Sequence, residues 1–397
     1  MYDVIVVGAR VAGASTALLL AQAGYRVLLV DRARFPSDTL STHYIHQPGI
    51  ARLARWGVLD AVRATGCPAL DRMVYQVEDV RLDGAALPHE GQTAAYAPRR
   101  QLLDSILIEA AVAAGAEFRE GCSVSGPVFD GDRVVGVDCR SREGKPVQER
   151  ARLVVGADGM RSAFAKAVGA PYTVQDPLNS CIYYTYWQGL ETSFELYERP
   201  GRWIGSVPTN DGATLIAAYF PQSEFDEVRA DALPHYLENI RTTAPALYER
   251  AERGERVERL KGTGDQQNFF RRAGGPGWAL VGDAAHHKDS ITARGISDAF
   301  LQADLLAAAV TGTVDGDPAK LDEALLRYDG QVQDELFEGY RNTLFTSRLE
   351  VTPERLHMLR VLSGSADLTE RYFAVAAGAM SVEDLYDDEL HDLLVTS

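Results

Sequence analysis

The sequence predicts an α/β architecture: a Rossmann-like nucleotide-binding unit on a parallel sheet, an antiparallel sheet interleaved with it, and a helical C-terminal region. Three observations carry this expectation. The opening "YDVIVVGARVAGAS" passes from a β-branched strand through a glycine turn into a small-residue helix. Two later apolar strands, in "ARLVVGADG" and "WALVGDAAHH", also end in Gly and Asp. Between them, "CIYYTYWQGL", "GRWIGSVPT" and "ATLIAAYF" read as strands of an antiparallel sheet rich in Tyr and Trp, spanning 171–271.

The first strand, "DVIVV", is the β-branched run that a strand buried on both faces requires. From Ala12 to Ala23 small and apolar residues recur at helical spacing, and Gly24 is a C-terminal stop. "YRVLLVD" is a second buried strand, ending in Asp31. Strand, turn, helix and strand make a βαβ unit, which requires parallel pairing. Gly8 and Gly13 hold the first and third positions of a G-x-G-x-x-G turn, but Arg10 takes the second, where a missing side chain lets backbone approach a pyrophosphate. Asp31 stands where an acidic residue, about 20 positions into such a unit, meets a ribose. Alone, this unit fits a fold with or without a nucleotide.

After Pro36 a loop holding His43, Tyr44 and His46 leads to an amphipathic helix from about Pro48. Residues 72–97 form a hairpin-like excursion, and "RRQLLDSILIEAAVAAG" is a strong helix with Leu103, Leu107, Ala110, Ala111 and Ala114 on one side. "RVVGVDC" and "ARLVVGADG" are strands around the polar turn "REGKP". "GISDAF" opens a further helix, and 317–397 reads as helices that become acidic towards the end.

Composition narrows the partners. A chain of 397 residues, 46% hydrophobic, buries a large core over two or three domains. The net charge of -16 argues against nucleic acid and anionic membranes, which need clustered Lys and Arg. No uncharged stretch reaches a spanning length, so no stable membrane insertion is expected. Cys67, Cys122, Cys139 and Cys181 form no C-x-x-C pair, and no signal peptide is read, which together predict a cytoplasmic protein with free thiols. The adjacent His286 and His287 have no completing ligand set, so no metal is expected.

The order of "GARVAG…VDR", "VVGADGMRSAF" and "ALVGDAAHH" resembles the FAD-dependent monooxygenases of the p-hydroxybenzoate hydroxylase fold, with the related geranylgeranyl reductases and flavin halogenases. The resemblance runs from Tyr2 to about residue 310. It implies a Rossmann-like FAD-binding domain (1–71, 98–170 and 272–316), an antiparallel-sheet substrate domain (72–97 and 171–271) and a helical region at 317–397. On it, Gly8, Arg10, Val11, Ala12 and Gly13 surround the pyrophosphate, and Asp31 with Arg32 meets the adenosine ribose. Arg100 lies along the FAD, and Asp158 belongs to a "DG" motif tied to FAD and NADPH. Gly282 and Asp283 meet the ribityl and pyrophosphate region, and the helix starting near Gly295 and Ile296 aims at the flavin's pyrimidine end.

Three departures from the family pattern stand out. Arg10 replaces the middle glycine; its side chain could point outward and add positive charge near a phosphate, and FAD is still expected to bind. Ala165 replaces a basic residue of the second motif. Ser290 stands where a proline is common, and Ala293-Arg294-Gly295 replaces a G-x-G.

The resemblance further implies oxygenation or hydroxylation of a small aromatic or polyketide-like substrate through a flavin C4a-hydroperoxide. Molecular oxygen is the co-substrate, and NAD(P)H is a transient reductant or a separate reductase delivers the electrons. Tyr184, Tyr186 and Trp203 are candidate substrate-pocket residues, with sheet packing as the alternative. Tyr183 and Trp187 fall on the other face of the same strand. His43 and His46 are candidate catalytic proton carriers, with local hydrogen bonding as the alternative. No lysine precedes Lys145 and no W-x-W-x-I is present, which sets halogenation aside. A reductase acting on carbon–carbon double bonds, as in the geranylgeranyl reductases, stays open. So does, more remotely, a flavin binder without turnover.

Overall fold

A computed structural model of the chain describes residues 1–141 and 143–396. Position 142, within the turn expected at "REGKP", and position 397 lie outside the described residues.

The β-branched runs sit side by side at the centre of the first sheet. Tyr2–Val7 pairs in parallel with Val27–Asp31 on one edge and with Pro146–Gly156 on the other. Trp278–Leu280 and Glu117–Glu120 extend the parallel pairing outward. Helices Val11–Gln22, Arg100–Ala113 and Gly295–Val310 pack together over this sheet. Ile5, Val6, Leu28, Leu29, Val154 and Val155 are consequently fully buried, which is why these strands carry no alternation. Because the strands are parallel, Gly8, Asp31, Ala157 and Gly282 arrive at the same sheet edge, where open α/β sheets bind ligands.

The second sheet runs in the order Glu255–Arg256, Ser180–Gln188, Thr214–Pro221, Arg202–Pro208, Phe194–Arg199, Met73–Val77, Val80–Gly84. Its pairs are antiparallel except where Phe194–Arg199 meets Met73–Val77 in parallel. The hairpin Met73–Gly84 therefore belongs to the same sheet as the Tyr/Trp-rich strands. The side-chain alternation expected for Ser180–Gln188 holds. Ile182, Tyr184 and Tyr186 enter one apolar cluster, while Cys181, Tyr183 and Trp187 enter another on the opposite face.

That second face is covered by elements the sheet-only expectation for 171–271 missed. Helices Phe225–Ala230, Ala232–Thr243 and Pro245–Arg253 lie there, burying Val228, Tyr236, Ile240, Leu247 and Ala251. Their 3.6-residue spacing of apolar side chains was present in the sequence, diluted by many charges. Tyr236 closes the layer by accepting a 3.0 Å hydrogen bond from Trp187 Nε1.

The C-terminal region is helical as expected: Pro318–Ser347, Pro353–Ser363, Ala366–Ala377, Val382–Leu385 and Asp388–Thr396. It joins the first face of the second sheet, where Leu359, Leu362, Phe373, Leu385 and Leu390 share a core with Tyr184, Trp203 and Tyr219. A buried ion pair fixes this docking. Arg355 donates to both oxygens of Glu198, at 2.6 and 2.7 Å, and Tyr75 Oη donates to the same carboxylate at 2.6 Å. Among the described residues no helix is long and apolar enough to cross a membrane.

Candidate functional site

The edge where the parallel strands end opens into a crevice of about 910 Å³. Gly8, Arg10, Val11 and Ala12 line one part of it, with Asp31, Arg32 and Arg100 beside them. Asp158, Gly282, Asp283, Gly295 and Ile296 line the rest. Three segments separated by more than a hundred residues are thus brought to one place. Gly13 is the exception among the predicted set: it lies behind the wall, and its role is steric. A Cβ there would fall 1.8 Å from the Gly8 carbonyl oxygen. Gly8 itself has φ +106°, and a Cβ on it would lie 2.4 Å from the Ala157 carbonyl oxygen. A Cβ on Gly282, at φ +62°, would lie 2.5 Å from that of Ala12. The glycines let the first and third motifs close on each other.

Asp31 organises the turn. One carboxylate oxygen accepts from the Ala9 amide and the other from the Ala33 amide, both at 2.7 Å. Each oxygen keeps acceptor capacity for a ligand hydroxyl, and Asp31 lines the crevice.

Arg10 lines the crevice, but its guanidinium turns towards helix Arg100–Ala113 rather than outward. Its guanidinium donates to Asp104 at 2.9 Å, to Ser37 Oγ at 3.2 Å and to the Asp38 carbonyl at 3.3 Å. Arg100 reaches the same carboxylate at 3.0 Å. Asp104 is fully buried; burial pushes its carboxyl up, and the two guanidiniums oppose that shift. The edited position is therefore a brace that ties the glycine turn to helix Arg100–Ala113 and to the loop at 37–38.

The residues present fit a dinucleotide. Helix Val11–Gln22 has no side-chain cap and no acidic residue in its first turn, leaving its amide N–H groups and positive dipole end for an anion. His286 Nε2 and Gln302 Oε1 are buried, have no hydrogen-bond partner among the described residues, and belong to residues lining the crevice. Asp158 is engaged in the wall itself: it accepts from Ser162 Oγ at 2.5 Å and from the Phe164 amide at 3.1 Å, capping the short helix Ala163–Ala167. Among the described residues no group of three or more metal-ligating side chains exists, and His286 and His287 face different neighbours.

A second cavity, of about 880 Å³, lies between the second sheet and the C-terminal helices. Trp203, Phe194, Met73, Tyr75, Tyr219, Met358, Tyr372 and Phe373 give it an aromatic and apolar wall. Thr42, Tyr44, Ser290 and Ala293 line both this cavity and the crevice, so the two spaces meet there. At the meeting point Tyr219 Oη and Ser290 Oγ lie 3.0 Å apart. Ser290 Oγ donates to Gln266 Oε1 at 2.5 Å, and Gln266 Nε2 donates to Ser180 Oγ at 3.2 Å. Ser180 Oγ in turn donates to Asp289 at 2.7 Å. Burial pushes the Asp289 carboxyl up to about 7.

Trp203 is placed in the cavity wall, whereas Tyr184 and Tyr186 line neither space and act in packing. Tyr184 Oη accepts from the Ser41 amide at 3.3 Å, and Arg99 stacks its guanidinium 3.9 Å from the Tyr186 ring centre. His43 also lines neither space. It holds a positive φ of 64°, its Nε2 lies 2.5 Å from Tyr186 Oη, and burial with Arg100 and Arg99 nearby lowers its pKa to about 3. His46 lines the cavity, but its Nε2 is 3.1 Å from the Thr292 carbonyl, and burial beside Arg294 lowers its pKa to about 4. Burial thus favours the neutral imidazole at both positions, and each ring nitrogen named has a local hydrogen-bond partner.

Sequence reasoning missed Thr39–Thr42, Cys122–Val124 and Gln302 in the crevice wall, and placed Lys288 there only as part of the loop from Ala284 to Gly295. It also missed the whole helical wall of the cavity. Lys288 was the one candidate with a signal, a lone lysine inside a conspicuous motif; it forms a buried ion pair with Asp298.

The fold and crevice together define a flavin-dependent oxidoreductase. The chain belongs to the FAD binding domain family, whose profile matches residues 1–325. Among curated proteins it is 27% identical to a 6-methylpretetramide 4-monooxygenase of Streptomyces rimosus, over 76% of this chain and 73% of that one. It is 26% identical to digeranylgeranylglycerophospholipid reductase 2 of Methanopyrus kandleri, over 90% and 89%. A tryptophan 2-halogenase of Chondromyces crocatus is 26% identical over 79% of this chain, a match that spans only 62% of the halogenase's own length. Solved structures share the fold. A flavoprotein/dehydrogenase from Cytophaga hutchinsonii superposes with a TM-score of 0.82 at 17% identity, covering 99% of this chain and 98% of that one.

Proposed function

We propose that this protein is an FAD-dependent monooxygenase that oxygenates a small aromatic or polyketide-like substrate. The observation that carries the reading is the junction of the two spaces: an apolar, aromatic-walled cavity of substrate size opens onto the crevice at Thr42, Tyr44, Ser290 and Ala293. The S. rimosus relative, a monooxygenase by name, supports it. In this reading residues 1–71, 98–170 and 272–316 hold the FAD, 72–97 and 171–271 carry the substrate wall, and 317–397 closes the cavity.

When bound, FAD supplies the redox chemistry, using two electrons from NAD(P)H, directly or through a separate reductase, so that one atom of O2 enters the substrate and the other leaves as water. The protein's own part is positioning and proton handling. Gly8 and the free N-terminus of helix Val11–Gln22, brought close by Gly13, seat the pyrophosphate, and Asp31 the ribose. The stacked Tyr44 and Phe194 rings, 4.1 Å apart, and Trp203 exclude water from the cavity. The Tyr219–Ser290 hydroxyl pair holds a proton at the junction, backed by Gln266, Ser180 and Asp289.

A second reading, reduction of a carbon–carbon double bond, is favoured by the fuller coverage of the M. kandleri reductase. One experiment separates them. The holoenzyme is reduced anaerobically, mixed with oxygenated buffer, and its flavin absorbance followed by stopped flow with and without aromatic ligands. A transient spectrum between the reduced and oxidised forms, its decay changed by ligand, is expected for the monooxygenase. Slow reoxidation in one featureless phase, indifferent to ligand, overturns that reading in favour of the reductase.

A further inference from the structure

We infer that Arg294 is the anion-binding residue of the cavity and that the substrate bears a carboxylate on its aromatic body. The inference rests on the cavity being the substrate site. Arg294 precedes helix Gly295–Val310 and is one of the residues lining the cavity.

Two glycines of the C-terminal helices make room for the guanidinium. A Cβ on Gly378 would lie 2.2 Å from one guanidinium nitrogen, and one on Gly339 would lie 3.2 Å from the central carbon. Gly378, at φ +74°, ends helix Ala366–Ala377, but Gly339 sits well inside helix Pro318–Ser347, where glycine is less stable than alanine. The space taken by Arg294 gives that glycine its reason.

Arg294 is held in place but only loosely paired, through a long contact to Asp298. Its Nε is buried without a hydrogen-bond partner, and the Asp298 carboxylate, 3.7 Å away, is already bound by Lys288. The other cations of the wall are committed. Arg355 is spent on Glu198 and Arg72 donates to Asp83 at 2.7 Å. The wall's carboxylates, Asp71 and Glu354, are on exposed residues, where solvent screens them. A guanidinium whose nitrogens make no hydrogen bond among the described residues is a planar fork that a carboxylate matches with two parallel hydrogen bonds. Its neighbour Ala293 lines both spaces, so an anion held there anchors the substrate next to the opening onto the crevice.

The test titrates the holoenzyme with 2-naphthoate and with neutral 2-naphthylmethanol, reading the perturbation of the flavin absorbance. Wild-type protein is expected to bind the carboxylate at least tenfold more tightly than the alcohol. Arg294→Gln should abolish that preference while leaving alcohol binding within twofold, and Arg294→Lys should retain part of it. Gly339→Ala, which favours the helix but crowds the guanidinium, should reduce the preference without lowering the melting temperature. Equal binding of the two probes to wild type, or a preference that survives Arg294→Gln, overturns the inference and leaves the cavity reading standing. If neither probe perturbs the flavin, the cavity reading itself fails and the inference with it.

Discussion

The crevice and the cavity are of similar volume, about 910 and 880 Å³, yet they are built from different materials. The crevice is shaped by backbone. Gly8, Gly13 and Gly282 bring peptide groups so close that an added Cβ meets a carbonyl oxygen or another Cβ within 2.5 Å. The cavity is shaped by side chains from the second sheet and from helices that close over it, held by the Arg355–Glu198 pair. A backbone-built site tolerates little change and suits an invariant ligand. A wall of side chains can be rebuilt residue by residue, which suits a family whose relatives act on unlike substrates.

This contrast can be broken in graded ways. The largest effect is expected from Gly13→Val, which drives a branched side chain into the Gly8 carbonyl; flavin absorbance per purified protein should fall below about a tenth of wild type, a loss of well over 1.4 kcal/mol in binding. Full occupancy would show that the glycine turn is not the pyrophosphate seat.

Next comes Arg355→Met on the cavity side. Leaving Glu198 buried without its partner should cost about 3–5 kcal/mol in denaturant unfolding, while FAD content stays near wild type. Loss of FAD in parallel would mean that the two regions are not separable.

The meeting point has a pH signature. Asp289 keeps its proton to about 7, whereas the unfolded chain releases it near the ordinary carboxylate value. Across the interval from about 4 to about 7 the folded state binds more protons, so this group's contribution to stability declines as pH rises and levels off above about 7. The melting temperature of Asp289→Asn relative to wild type should therefore climb through that window; a flat difference would place the carboxyl in a more polar setting.

The smallest of the four is Asp31→Ala. Two charge-assisted hydrogen bonds to Ala9 and Ala33 are lost, together with the ribose acceptor, and FAD affinity should weaken by about 2 kcal/mol, roughly thirtyfold, in a calorimetric titration of deflavinated protein. An unchanged affinity would reduce Asp31 to a brace of the turn.

The sequence by itself determined the parts governed by local sterics and periodicity. The βαβ unit, the three Gly/Asp strand ends, the helix opening at Gly295, and the division of Tyr184 and Tyr186 from Tyr183 and Trp187 all follow from strand pleat, helix pitch and glycine's freedom at positive φ. The crevice was legible for the same reason: its residues are recognised by what their own backbone must do. Tertiary structure alone decided everything that depends on a partner distant in the chain. Asp104 turned Arg10 inward, burial and two arginines lowered the pKa of His43, and helices past residue 317 supplied a wall and the glycine cradle of Arg294. Such contacts have no period and no local steric mark, because the free energy that selects them comes from desolvation and charge pairing between segments that meet only when the chain is folded.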